Sequence, residues 1–132
     1  MAQNSTLSST FIPMTAKERE IAIDIYDLLL DEADEQGDFL EYCVEQQTEE
    51  PEGIIICHDE SFNVSAAAEY VQQVLNRLNR DDLIVMSYAY VCSAPRPGEF
   101  GGGAVLIGRD SMTSTDAQYV MKKEAEARGN KT

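Results

Sequence analysis

The sequence lacks any long hydrophobic run. Its longest apolar stretches, such as 83–86 and 104–107, are far shorter than the ~20 residues that a membrane-spanning helix needs, so we expect no membrane partner. Hydrophobic residues nevertheless make up 43% of the 132 residues, which is typical of one globular domain. The composition therefore argues against extensive disorder and against a fibrous structure.

Cysteine and histidine are scarce. Cys43, Cys57 and Cys92 are odd in number and far apart, which is typical of buried thiols in a reducing compartment. We therefore expect a cytoplasmic location, in a host cell or in the producing cell. No two cysteines form the close pair that a structural zinc site requires, so neither a metal nor a cofactor is predicted. With one histidine and no nucleophile-elbow motif, no catalytic residue is predicted, and the sequence favours a non-enzymatic protein.

The first fourteen residues contain no lysine or arginine. They are rich in serine and threonine, and they lack both the charged start and the apolar centre of a secretory signal. We expect residues 1–14 to form a flexible N-terminal arm. Residues 15–132 are then expected to form a single α/β domain.

Positive charge is nearly absent from one third of the chain. Sixteen of the 24 acidic residues lie between Glu18 and Glu60, where Lys17 and Arg19 are the only nearby cations. The formal net charge of −14 arises in this segment, because the remaining eight acidic and eight basic residues cancel. A charge confined to one segment indicates a surface directed at a positively charged partner.

The acidic segment is predicted to be helical. Thr15 and Glu18 have the spacing of a capping box, which predicts a helix that begins there and ends at Gly37. A second, shorter helix is expected from Asp38. Residues 15–52 would thus form an acidic helical half of the domain.

The rest of the chain is predicted to alternate between strands and helices. The expected elements are a strand over 53–57, a helix capped by Asn63 or Ser65, strands over 83–92 and 103–109, and a helix starting near Thr115. We predict an α/β (α+β) fold with a small mixed three-stranded sheet packed by about four helices. A parallel strand–helix–strand crossover would be followed by an antiparallel hairpin in this sheet.

The first predicted helix carries a row of carboxylates. On a helix the residues Glu20, Asp24, Asp27, Asp31 and Asp34 share one face over ~21 Å. One interpretation is an ordinary solvated helix face. The other is a charge row that imitates a nucleic-acid backbone, so that the protein docks on a basic, nucleic-acid-handling partner and inhibits it. Under this hypothesis the chain does not bind nucleic acid itself.

The opposite side of the same helix is unusually wide in apolar character. The nonpolar arc extends over Ala22, Ile23, Tyr26, Leu30 and Ala33. One sheet cannot cover so wide an arc, so either the second helix and the N-terminal arm also pack on it or a partner chain does. A homodimer, or a homo-oligomeric assembly subunit, is therefore a further hypothesis.

The loop over 93–102 contains an arginine and an aromatic residue at a predicted exposed tip. Arg96 and Phe100 either pack under the sheet or contact the partner, since an arginine and an aromatic residue are the kind of pair that anchors protein interfaces. The glycines at 101–103 precede a strand instead of a helix, which argues against a phosphate-binding loop.

A different class of function is a small-molecule-binding protein or enzyme. Its site would lie near His58 and Asp59, at the carboxyl end of a predicted strand, with Tyr88 and the glycine-rich loop nearby. Localised charge favours the docking hypothesis, whereas a deep pocket with carboxylates or a histidine of perturbed pKa would favour this alternative.

Overall fold

The computed structural model describes residues 4–58, 60–92 and 101–129, and within these ranges the chain forms six strands and three helices. The elements in chain order are β1 (Asn4–Pro13), α1 (Ala16–Gln36), β2 (Cys43–Gln47), β3 (Gly53–His58), α2 (Val64–Leu78), β4 (Ile84–Cys92), β5 (Gly101–Ile107), β6 (Met112–Asp116) and α3 (Ala117–Ala127).

The strands form one open antiparallel sheet in the order β2-β3-β1-β4-β5-β6. The prediction of a mixed three-stranded sheet with about four helices is therefore wrong. β3 and β4 do run in the same direction on either side of α2, but β1 lies between them and pairs antiparallel with both. The first six elements thus follow the split β-α-β-β-α-β arrangement called ferredoxin-like, and β5, β6 and α3 extend it at one edge.

β1 occupies the middle of the sheet. Residues 8–13 pair with β3 and residues 4–8 pair with β4, so that Ser8 lies opposite both His58 and Tyr88. The prediction of a flexible arm over residues 1–14 is wrong for residues 4–13, because their backbone belongs to these ladders. Serine and threonine had suggested a linker, but the β-branched residue Ile12 is fully buried here.

The segment after α1 also differs from its prediction. The second helix, expected from Asp38, is absent, and the edge strand β2 takes its place. Glu41 has a φ of 57°, a left-handed conformation that a continuing helix does not permit. Cys43 on this edge strand is exposed, contrary to the prediction of buried thiols.

The two long helices agree with their predicted signals. Thr15 and Glu18 form the capping box of α1, and Gly37 ends the helix in the left-handed conformation. The Asn63 side chain accepts a hydrogen bond from the Ala66 amide and caps α2. These local signals act within a few residues, which is why the sequence alone places both helices.

The core lies between one face of the sheet and the two helices α1 and α2. Alternate strand residues such as Ile54, Ile56 and Met86 are fully buried on this face, which identifies it as the helix side. Tyr26, Tyr42 and Tyr70 meet beneath α1, with ring centroids 5.6–5.9 Å apart. α1 is therefore fixed on the sheet, and its outer face is fixed with it.

Candidate functional site

The predicted row of carboxylates lies on the outer face of α1. Its members are all exposed, and we call them the acidic stripe: Glu20, Asp24, Asp27, Asp31 and Asp34. The helix buries Ala22, Ile25 and Ala33 on its other side. Because these buried side chains fix the rotation of the helix, the stripe points into solvent.

The acidic stripe is not neutralised by the part of the chain that the structure describes. No lysine or arginine nitrogen there lies within 4.0 Å of a stripe carboxylate. The arginines pair with other carboxylates: Arg19 with Glu52 at 2.6 Å, Arg80 with Asp82 at 2.7 Å and with Glu18 at 3.7 Å, and Arg109 with Asp81 at 3.0 Å. These three arginines are thus engaged away from the stripe, and the stripe carboxylates keep their negative charge.

An exposed aromatic residue lies just beyond the end of α1. Phe39 is 85% exposed, and the neighbouring carboxylates of Glu35, Asp38 and Glu41 are exposed as well. Phe39 was not among the predicted site residues, because the sequence suggested a short helix over this segment. Its position two residues after the helix-ending glycine, directly after Asp38, was the available signal.

A groove runs between α1 and α2 beside the stripe. It has a volume of about 480 Å³, and Ile25 and Leu29 contribute apolar side chains to it. Leu28, which is 60% exposed, also lines this groove, together with two acidic residues, Glu32 and Glu69, and two arginines, Arg77 and Arg109. The acidic face therefore offers apolar surface as well as charge.

The structure brings together two of the three residues that we considered for a small ligand. His58 and Tyr88 lie on either side of Ser8 and line one surface cleft of about 500 Å³. The third residue, Asp59, lies outside the described residues.

Hydrogen bonds hold the His58 side chain in place, and burial affects the ionisation of the Tyr88 hydroxyl. The His58 Nδ1 atom accepts hydrogen bonds from the backbone amides of Glu60 (3.2 Å) and Ser61 (3.1 Å). Burial, and then the nearby Asp116 carboxylate, raise the pKa of the Tyr88 hydroxyl above its ordinary value. The hydrogen bonds give His58 a local structural role in the turn after β3.

Arg96 and Phe100 lie outside the described residues, as does the loop segment 93–100. β5 begins at Gly101, two residues before the predicted start. A Cβ atom at Gly103 would lie 2.6 Å from the hydroxyl oxygen of Tyr88, so this glycine makes room for the tyrosine ring. The close approach of a cross-strand side chain accounts for this glycine without any phosphate ligand.

Two further properties of the described ranges bear on the site. No group of three or more histidine, cysteine or acidic side chains is placed to hold a metal ion in residues 4–58, 60–92 and 101–129. None of the helices in these ranges has the length and apolar character needed to cross a bilayer.

No family model matches this chain, and no curated protein or solved structure shows a significant match to it.

Proposed function

We propose that this protein is a non-enzymatic binding protein that docks the outer face of α1 on a basic protein partner. The partner would be one that holds nucleic-acid phosphates with lysine and arginine, and docking would compete with the nucleic acid. The observation that carries this proposal is the acidic stripe, a row of five exposed carboxylates without an ion pair to any described lysine or arginine.

The charge pattern of α1 is costly for the helix itself. The helix contains eight acidic residues and only two basic ones, and one of the basic residues, Arg19, is buried. The four like-charge gaps within the stripe oppose helix formation by about 1–2 kcal/mol in total. A solvated face selected for stability would instead intersperse cations at these spacings, so the pattern favours binding over a structural role.

The stripe resembles a nucleic-acid strand in sign and in linearity. Its carboxylates are spaced by roughly 5 Å along the helix, whereas phosphates follow each other by about 3.4 Å along one DNA strand. Long lysine and arginine side chains can adjust to this difference. The predicted interaction is therefore fast and strongly dependent on salt.

Phe39 and Leu28 offer the partner apolar contacts in addition to the charge of the stripe. Both are exposed, at 85% and 60%, and both lie beside exposed carboxylates. Interfaces commonly place an aromatic anchor inside a polar surround. We therefore include both side chains in the docking surface.

The test begins with capture of partners from cell lysate at low and at high salt. A basic protein that is retained at low salt and named by mass spectrometry is then titrated with the wild-type chain. The variant Asp24→Asn/Asp27→Asn/Asp31→Asn should bind about 10–100-fold more weakly, since three exposed ion pairs contribute about 0.5–1 kcal/mol each.

A matched control separates the stripe from net charge. Glu49→Gln/Glu60→Gln/Glu126→Gln also removes three negative charges, from exposed positions outside α1 that have no ion pair among the described residues, and should bind like the wild type. Equal losses in both triple variants would mean that net charge alone matters. Unchanged affinity in the stripe variant, or no basic partner at low salt, would refute the proposal.

A second variant tests the apolar anchor. Phe39→Ala should weaken binding without changing its dependence on salt, because no charge is removed. Since Phe39 is 85% exposed, the thermal unfolding midpoint should stay within error of the wild type.

A small-molecule site is a second candidate, favoured only by the cleft that His58 and Tyr88 share. A screen of small planar compounds by thermal unfolding would test it. A stabilising compound whose effect is lost in Tyr88→Ala but kept in Phe39→Ala would support this function.

A further inference from the structure

The sheet has a second face, which α1 and α2 do not cover. Exposure alternates along the strands, so that buried residues such as Ile12 and Met86 face the helices while their neighbours Phe11 and Val85 face away. We call this second side the open face. It consists of residues 5, 7, 9, 11 and 13 of β1; 43, 45 and 47 of β2; 53, 55 and 57 of β3; 85, 87, 89 and 91 of β4; 102, 104 and 106 of β5; and 113 and 115 of β6.

The open face presents large apolar side chains to solvent. Val85 and Leu106 lie directly opposite each other in the β4–β5 ladder and are 57% and 40% exposed. Phe11 is paired with Ile55 in the β1–β3 ladder, and Val91 lies further along β4. Exposed apolar residues that are neighbours in a sheet mark an interaction surface more often than scattered ones do.

The same face is almost free of charge. Glu45, on the edge strand β2, is the only charged residue among the positions that form it. It contains no lysine or arginine and a single aromatic residue, Phe11. Sheets that bind nucleic acid combine cations with several stacking aromatics, so this face does not suit a nucleic acid.

We propose that the open face binds a second copy of this chain, sheet against sheet, in a two-fold symmetric dimer. Two chains of formal charge −14 repel each other, so they can associate only where local charge is absent. The open face meets this condition, and it lies on the opposite side of the sheet from α1.

The layer spacing shows that charge does not oppose this dimer. Packed sheets lie ~10 Å apart, and each α1 adds a further layer on the order of 10 Å thick on the outside. The two acidic stripes would thus be separated by roughly 30 Å, several times the Debye length of ~8 Å at physiological salt. Both stripes would also remain accessible to partners.

The size of the face is sufficient for a modest interface. Six strands at ~4.8 Å spacing, each with about six residues at ~3.4 Å, give a projected area on the order of 500 Å². Two such faces would bury roughly 1,000 Å² in total, which is the lower end of the range of specific interfaces.

Sedimentation velocity over a range of protein concentrations tests the dimer. The wild-type chain should dimerise, and Val85→Lys should weaken the dimer about 100-fold, since symmetry introduces the change twice. Leu30→Lys places the same charge on an exposed apolar site of α1, which lies on the other side of the sheet from the open face, and should dimerise like the wild type. Should Val85→Lys fail to fold, Leu106→Ala introduces no charge and should still weaken the dimer about tenfold.

Several outcomes would overturn this inference. A wild-type chain that stays monomeric up to concentrations on the order of 1 mM is one, and a dimer that folded Val85→Lys leaves intact is another. Binding of a nucleic acid to this face in place of a second copy would also contradict it. The docking function is tested separately, because the dimer should persist at high salt and in Asp24→Asn/Asp27→Asn/Asp31→Asn, whereas docking should not.

Discussion

The hydroxyl group of Tyr70 donates a hydrogen bond to the backbone carbonyl oxygen of Ala22, with 2.7 Å between the two oxygens. Both residues are buried, so this bond joins α2 to α1 inside the core. A buried hydroxyl without a partner would be costly, and this bond removes that cost. It also contributes to the position from which α1 presents its outer face.

Tyr70→Phe should lower the free energy of unfolding by about 1–2 kcal/mol, because the hydrogen bond is lost while the ring still fills its space. Urea denaturation measures this change. Tyr119→Phe, at a residue that is 56% exposed, is the matched control and should have no measurable effect. Equal stabilities of both variants would show that the bond contributes nothing.

The protein should lose stability at alkaline pH. Burial raises the pKa values of Tyr42 and Tyr70 well above the ordinary value of 10.0. A group whose pKa is raised in the folded state stabilises the protein below its unfolded pKa, and this contribution disappears as the pH rises further. The free energy of unfolding should therefore be constant up to about pH 10 and fall beyond it.

Ultraviolet absorbance of tyrosinate checks the alkaline prediction. Tyr42 and Tyr70 should ionise only together with the loss of circular dichroism. Smooth ionisation of all six tyrosines in a folded protein would contradict it.

Removing the partner of Arg19 should destabilise the fold. The Arg19 side chain is 9% exposed, and its Nη1 atom lies 2.6 Å from the Glu52 carboxylate, which is 37% exposed. Glu52→Gln leaves a largely buried guanidinium without its counter-charge, and should cost about 1–3 kcal/mol. Thermal unfolding of Glu52→Gln should be compared with that of Glu50→Gln, an exposed neighbour on the same turn. If both variants unfold at the same temperature, the ion pair does not stabilise the protein.

Deleting residues 1–13 should abolish cooperative unfolding. This deletion removes β1, which lies between β3 and β4 and pairs with both, so each of these strands loses a hydrogen-bonding partner. Truncation after Asp116 removes α3, in which no described residue is buried, and should leave the unfolding transition largely intact. A cooperative transition in the N-terminal deletion would mean that residues 1–13 act as the arm that their composition suggests.

Local signals in the sequence predicted the helices that carry the candidate site. Thr15, Glu18 and Gly37 act on residues within one turn of themselves, so the ends of α1 follow from the sequence. The rotation of the helix, and with it the exposure of the acidic stripe, follows from the positions of Ile25 and its apolar neighbours. The absence of ion pairs at the stripe depended on where Arg80 and Arg109 lie in the fold, which no local pattern determines.

The three strands that the sequence did not predict, β1, β2 and β6, do not show a clear alternation of apolar and polar residues. β1 directs the polar residues Ser8 and Thr10 towards the helix side, and β2 and β6 are edge strands with mostly polar side chains. Their pairing depends on residues far away in the chain, such as Ser8 with His58 and Tyr88. The periodicity of apolar residues cannot reveal such pairing, so the order of the strands could not be predicted from the sequence.

The position of β1 has a consequence for synthesis on the ribosome. β1 is translated before both of its neighbours, which lie at 53–58 and 84–92, so its ladder with β3 cannot close before residue 58 is made, nor its ladder with β4 before residue 92. One edge of β1 therefore stays unpaired over this stretch of translation, and contacts of this long range form slowly. The sheet is completed late, and the growing chain depends until then on its strong negative charge, or on chaperones, to avoid pairing with other chains.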